Sequence, residues 1–191
     1  MLNIAIFASG KGSNADNLAR YFNLNHHPLA RVNLILCDRK QAGVFDVATT
    51  YSIDSVYLSS LLLQNPFSIL KIVHDHEIDF IVLAGYLKLM PIEIIEAFPM
   101  RMINIHPALL PKFGGKGMYG MKVHQAVVDS GEKETGISIH YVNAHYDKGD
   151  IIFQAKIRVD KEDSPIQIGE KIHVLEQTHL PKIVEDILYN L

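Results

Sequence analysis

Apolar residues gather along the chain in short runs separated by polar, glycine-rich turns. Leu2-Asn3-Ile4-Ala5-Ile6-Phe7-Ala8 is nearly continuous, as a strand buried on both faces requires. It runs into Ser9-Gly10-Lys11-Gly12-Ser13-Asn14, after which Leu18, Tyr21 and Phe22 share one helical face. Residues 32–37 form a second strand, closed by Asp38-Arg39. The pattern from 41 to 57 is the least regular and predicts a short helix and a short strand around Ser55-Val56-Tyr57. Asn65-Pro66 opens a helix with Phe67, Leu70, Ile72 and Val73 as its apolar positions. Residues 80–83 are a further buried strand, 91–97 a short helix and 102–106 another strand. A helix over 121–130 ends at Gly131. Residues 136–142 and 151–157 alternate as two strands of an antiparallel hairpin around a polar loop. Asp163-Ser164-Pro165 starts a last helix from 166 to near 191, with Pro181 predicted to kink it.

Strand and helix alternate up to residue 106, which predicts an α/β fold with a parallel, doubly wound sheet of about five strands. Their C-terminal ends share one edge, where such sheets bind ligands. The later hairpin makes the sheet mixed. A length of 191 residues fits one domain, and 48% hydrophobic against 20% charged residues is a globular composition. No stretch reaches the roughly 20 apolar residues of a membrane span, and the start lacks a basic region typical of signal peptides. The lone Cys37 excludes an internal disulfide and fits a reducing cytoplasm. A net charge of -3 gives no general attraction to nucleic acid, so any anion must be gathered locally.

Candidate chemistry concentrates at strand ends. Asn104 and His106 lie two apart, on one face of a strand that Pro107 and Pro111 stop, because proline has no N–H to give. The loop Gly10 to Asn14 leads into a helix N-terminus that Ser13 or Asn14 can cap, an arrangement suited to a phosphate. It lacks the Walker spacing, and Ala15 stands where a dinucleotide fingerprint needs its third glycine. Asp38 is either a ribose-holding acid or, more commonly, a turn residue. His74 and His76 fall on different helical faces and read as solvated. The segment 84–91, with Tyr86, Leu87, Leu89 and Met90, is either a lid over the core or a wall for a flat apolar ligand. Residues 114–120 form a flexible glycine-rich loop. His140 is a substrate contact or a satisfied core histidine, and His124 reads as structural or surface. No cluster has metal-ligand spacing.

Asn104-x-His106-Pro107, Leu109-Leu110-Pro111, Gly12-Ser13-Asn14 and Asp147-x-Gly149 together resemble the folate-dependent phosphoribosylglycinamide formyltransferase family of purine synthesis. The resemblance covers almost the whole chain and is weakest over 38–63. It implies a Rossmann-like open sheet of about seven strands in one formyltransferase domain, with an N-terminal lobe of about 1–100 and a C-terminal lobe of about 101–191. It implies that Gly12, Ser13 and Asn14 bind the ribotide phosphate, with Glu176 at the glycinamide end. By the same resemblance Leu87, Lys88, Leu89, Met90 and Asn104 hold the folate, and Asn104, His106 and Asp147 are catalytic. The activity implied is formyl transfer from 10-formyltetrahydrofolate, the co-substrate, to phosphoribosylglycinamide, without a metal. Asn104 would stabilise the oxyanion, His106 would serve as general acid and Asp147 would raise the His106 pKa. Lys88 stands where many members have arginine, and 114–120 replaces a shorter loop. The expected partners are small molecules, neither nucleic acid nor membrane, for a monomer or homodimer. Formyltetrahydrofolate hydrolases carry an extra N-terminal domain and methionyl-tRNA formyltransferases a C-terminal barrel, whereas this chain starts at its first strand. A nucleotide-binding regulatory module is the alternative of another class.

Overall fold

The structure is a computed structural model that describes residues 1–24 and 27–191. Leu2–Ala8 (β1) passes through the glycine loop into Ser13–Ala19 (α1), continued by a π-helical segment, Arg20–Leu24. Ala30–Cys37 (β2), Val44–Thr50 (α2), Asp54–Tyr57 (β3), Ser60–Leu63 (α3) and Pro66–Asp75 (α4) follow. Next come Phe80–Leu83 (β4), Ile92–Ala97 (α5), Met102–His106 (β5) and Met121–Asp129 (α6). Glu134–Tyr141 (β6), Ile151–Arg158 (β7) and the long Pro165–Tyr189 (α7) complete the chain.

The seven strands form one sheet in the order β3-β2-β1-β4-β5-β6-β7. It is parallel through β5, while β6 pairs antiparallel with both β5 and β7. This is the open, mostly parallel mixed sheet that the sequence predicts. From β1 the chain moves outward to β2 and β3, then returns to lay β4 on the other side of β1. The loops after β1 and β4 therefore leave in opposite directions and open a crevice at the C-terminal edge of the sheet. The Ser9 N–H donates to the Gly85 carbonyl at 3.0 Å and ties these two loops together.

Both faces of the sheet are covered, which is why β1 is apolar almost throughout. Ile4 and Ile6 point into one core with Leu18 and Phe22 and with Ile168, Ile172, Leu180 and Val184 of α7. Ala5 and Phe7 point into the other, with Ile69 and Val73 of α4 and Ile94 of α5. Each fully buried leucine or isoleucine contributes about 1.5–3 kcal/mol.

Two expectations change, and two features go beyond them. α3 has too few residues for a period to show, and it forms where the Ser59 hydroxyl accepts the Leu62 N–H. Phe67 is 68% exposed, since α4 turns Ile69 and Val73 inward instead. Neither Ser13 nor Asn14 caps α1: Gly12 holds the cap position at φ 87, and a Cβ there would stand 2.9 Å from the Val44 backbone. Pro181 lies inside α7 without ending it. The Gln177 carbonyl that Pro181 deprives of its helical donor accepts the Asn17 Nδ2–H at 2.9 Å. Among the described residues no helix is long and apolar enough to cross a membrane.

Candidate active site

β5 delivers its polar pair into the crevice. Asn104 pairs in register with His140 of β6, and His106 with Ser138. The loop beyond, poor in donors because of Pro107 and Pro111, is held from the hairpin. The Leu110 N–H donates to Ser138 Oγ at 2.9 Å, and Ser138 Oγ donates to the Ala108 carbonyl at 2.7 Å. Gln154 Nε2 donates to the Leu110 carbonyl at 3.0 Å, and the Leu110–Pro111 peptide is cis.

His106 is 4% exposed. Its Nε2 stands 2.8 Å from the Phe113 carbonyl, which can only accept, so Nε2 carries the proton. Phe113 brings that carbonyl round in the left-handed region, at φ 56. Nδ1 is left facing Asp147 Oδ1 at 3.6 Å. Burial pushes the His106 pKa below its ordinary 6.5; Asp147 and the Phe113 carbonyl act upward without overcoming it. Asp147 thus acts upward on this histidine as expected, and it is burial that makes the net shift downward.

Asp147 also sits in the left-handed region, at φ 54. Two residues on, Gly149 passes so close to β6 that a Cβ would collide with the Tyr141 carbonyl, which gives the Asp-x-Gly spacing a steric cause. Asp147 Oδ2 accepts the Gly115 N–H at 2.8 Å, and Oδ1 accepts Asn104 Nδ2 at 3.3 Å. Burial pushes the Asp147 pKa up, but His140, His106 and the Gly115 N–H outweigh it and hold the carboxyl below its usual range. His140 is 2% exposed, with Nδ1–H turned to the Tyr141 carbonyl at 2.8 Å. Its Nε2 lone pair thus receives Asn104 Nδ2 at 3.0 Å, so both amide hydrogens of Asn104 are engaged.

A cavity of about 340 Å³ extends from the glycine loop to this cluster, lined by Gly12, Ser13, Asn14, Leu87, His106 and Glu176 among others. Asn14 Nδ2 donates to Glu176 Oε2 at 3.1 Å, joining the loop to α7. Burial pushes the Glu176 carboxyl up to about 7, against the Asn14 hydrogen bond. A smaller cavity of about 40 Å³, lined by Lys88, Leu89 and Met90, also touches Asn104, His140 and Asp147. The predicted site residues are thus split between two cavities that share Asn104 and Asp147. Met90 is 3% exposed and belongs to the floor, while Leu89 stands out at 44%. Asp38 takes the Ser9 hydroxyl, and Ser9 Oγ in turn accepts the Leu87 N–H at 3.1 Å, so this acid acts as a brace between loops. Among the described residues no group of three or more possible ligands could hold a metal ion.

The sequence leaves His124 as structural or surface, and the structure rules out the surface. The residue is 8% exposed and lines the larger cavity. The available signal was its place in the first turn of a helix entered directly from the glycine-rich loop.

The formyl transferase family profile matches residues 2–184. The chloroplastic phosphoribosylglycinamide formyltransferase of Arabidopsis thaliana is 38% identical over 181 residues, which cover 92% of this chain and 61% of that protein. The chain thus spans about three-fifths of the length of that plant relative. The phosphoribosylglycinamide formyltransferase of Bacillus subtilis strain 168 is 33% identical over 192 residues, 98% of this chain and 95% of its own. Among solved structures, glycinamide ribonucleotide transformylase 1 from Geobacillus kaustophilus matches with a TM-score of 0.85 and 30% identity, covering 98% of this chain and 99% of that one. With the profile spanning nearly all of its length, this chain belongs to the formyl transferase family.

Proposed function

We propose that residues 1–191 act as one formyltransferase unit, with lobes of about 1–100 and 101–191, on two small molecules. It transfers the formyl group of 10-formyltetrahydrofolate to the amine of 5-phosphoribosylglycinamide, giving formylglycinamide ribonucleotide and tetrahydrofolate. The observation that carries this reading is the meeting of Asn104, His106 and Asp147 in one cluster, of which Asn104 and Asp147 line both cavities. The larger cavity has the glycine loop for a phosphate, which favours a phosphorylated acceptor over water. The smaller has Lys88, Leu89 and Met90 for a pterin.

The neutral amine attacks the formyl carbon and a tetrahedral oxyanion forms. Asn104 Nδ2–H, now turned to Asp147 in the longer of its two bonds at 3.3 Å, is the donor the oxyanion takes over. Losing such a donor costs about 3–4 kcal/mol of barrier. His106 Nδ1 receives the proton released by the attacking nitrogen and passes it to N10 of the folate as the C–N10 bond breaks. Asp147, 3.6 Å away, favours the imidazolium that exists between these two transfers.

The test is transfer by the wild-type protein, run beside a reaction without acceptor. Acceptor-dependent release of tetrahydrofolate is expected, and His106→Ala should lower kcat by at least about 100-fold with both substrates still bound. Equal release with and without acceptor would instead make the protein a hydrolase.

A further inference from the structure

The large cavity contains a buried imidazole that neither the fold nor the proton transfers above require. His124 lies in the first turn of α6, just after the glycine-rich loop, and is 8% exposed. Its Nδ1 is buried without a hydrogen-bond partner among the described residues, a defect that costs about 1–3 kcal/mol. A leucine or phenylalanine would fill the same space without it. The neighbouring helix makes room for the ring as well. Gly169 of α7 backs it, and a Cβ at that position would stand 3.2 Å from His124 Cδ2 and 3.4 Å from Nε2. Glycine inside a helix costs about 1 kcal/mol relative to alanine. Two local costs are thus carried at one point on the cavity wall.

Burial, and then the nearby His106, push the His124 pKa below 6.5, so the ring is neutral at pH 7 and holds a single proton. A proton on Nδ1 would bury an unpaired donor, whereas a bare Nδ1 leaves only an unfilled lone pair, the lesser defect. The proton therefore belongs on Nε2, which is not sealed off as Nδ1 is. We infer that His124 is a substrate-contacting residue whose Nε2–H donates to an oxygen of the ribosyl-glycinamide part of the acceptor, between its phosphate and its amine. This role rests on the proposed acceptor. It follows from the cavity, whose lining brings His124 together with the phosphate loop and with His106, which is near enough to act on it.

The experiment measures binding of phosphoribosylglycinamide and of ribose 5-phosphate by calorimetry, with steady-state KM values for both substrates. His124→Phe keeps an aromatic ring against Gly169 and removes the donor; His124→Gln returns an N–H near the Nε2 position. The phenylalanine variant should bind the acceptor roughly five- to tenfold more weakly, with the folate KM unchanged, and glutamine should restore most of the affinity. Weaker binding of ribose 5-phosphate as well assigns the oxygen to the sugar; weakening confined to phosphoribosylglycinamide assigns it to the amide. Unchanged acceptor affinity in His124→Phe, whatever its Tm, overturns the role and leaves the proposed function standing. Failure of the wild-type protein to bind the acceptor overturns both.

Discussion

Glu176 has a carboxyl pushed up to about 7 while an ordinary glutamate titrates near 4.5. Between those values the folded protein holds a proton that the unfolded chain has released. The stabilising contribution is complete below about 4.5, is lost as pH rises through about 7, and stays lost above. Partial solvent access keeps it on the order of 1–3 kcal/mol. Glu176→Gln cannot titrate, so its Tm relative to wild type should climb from pH 5 to pH 8. Two melting curves that move in parallel over that range would contradict the shift. A cationic or hydrogen-bond-donating ligand reverses the preference, so acceptor binding should release part of this proton. None of this was legible in the sequence, which supplies the glutamate but not the dry wall around it. The same holds for His106: its neighbour Asp147 could be named from the motif, but the size of the burial opposing it depends on the whole crevice.

At the scale of elements, the strands were legible because β1, β4 and β5 are apolar runs ended by glycine or proline, and the β6-β7 hairpin alternates around a polar loop. What the sequence could not give is how α7 docks. Pro181 takes a donor away from Gln177, and Asn17 of α1 supplies one, while Gln177 Nε2 donates to Asn14 Oδ1 at 3.3 Å. The proline that reads as a kink also creates a keying point between two helices at Gln177, one residue from Glu176. Asn17→Ala should cost about 1–3 kcal/mol by orphaning a carbonyl, and should weaken acceptor binding through Glu176. Pro181→Ala returns a helical donor to that carbonyl, so Asn17→Ala should cost less in the Pro181→Ala background. Additive costs in a thermal-denaturation cycle would rule out the shared carbonyl.

Taken whole, the molecule is mildly acidic, yet Lys11, Arg39 and Lys40 border a shallow hollow beside the glycine loop. The proposed acceptor, a dianion, would therefore meet cations beside its proposed subsite rather than a positive surface overall. Raising ionic strength from about 0.01 to about 0.15 M shortens the screening length from about 30 to about 8 Å, and the acceptor KM should rise several-fold across it. Arg39→Gln combined with Lys40→Gln should flatten that dependence in initial-rate measurements; an unaltered slope would show the pair to be irrelevant. The strand order has a bearing on descent as well. Among the described residues, none from 15 to 82 lines either of the two cavities. Beyond the bracing carboxylate of Asp38 and the Arg39 and Lys40 cations at the entrance, the outer arm from β2 to α4 supplies a rigid edge. Apart from those three residues, descent can vary loop length in this arm without touching either cavity.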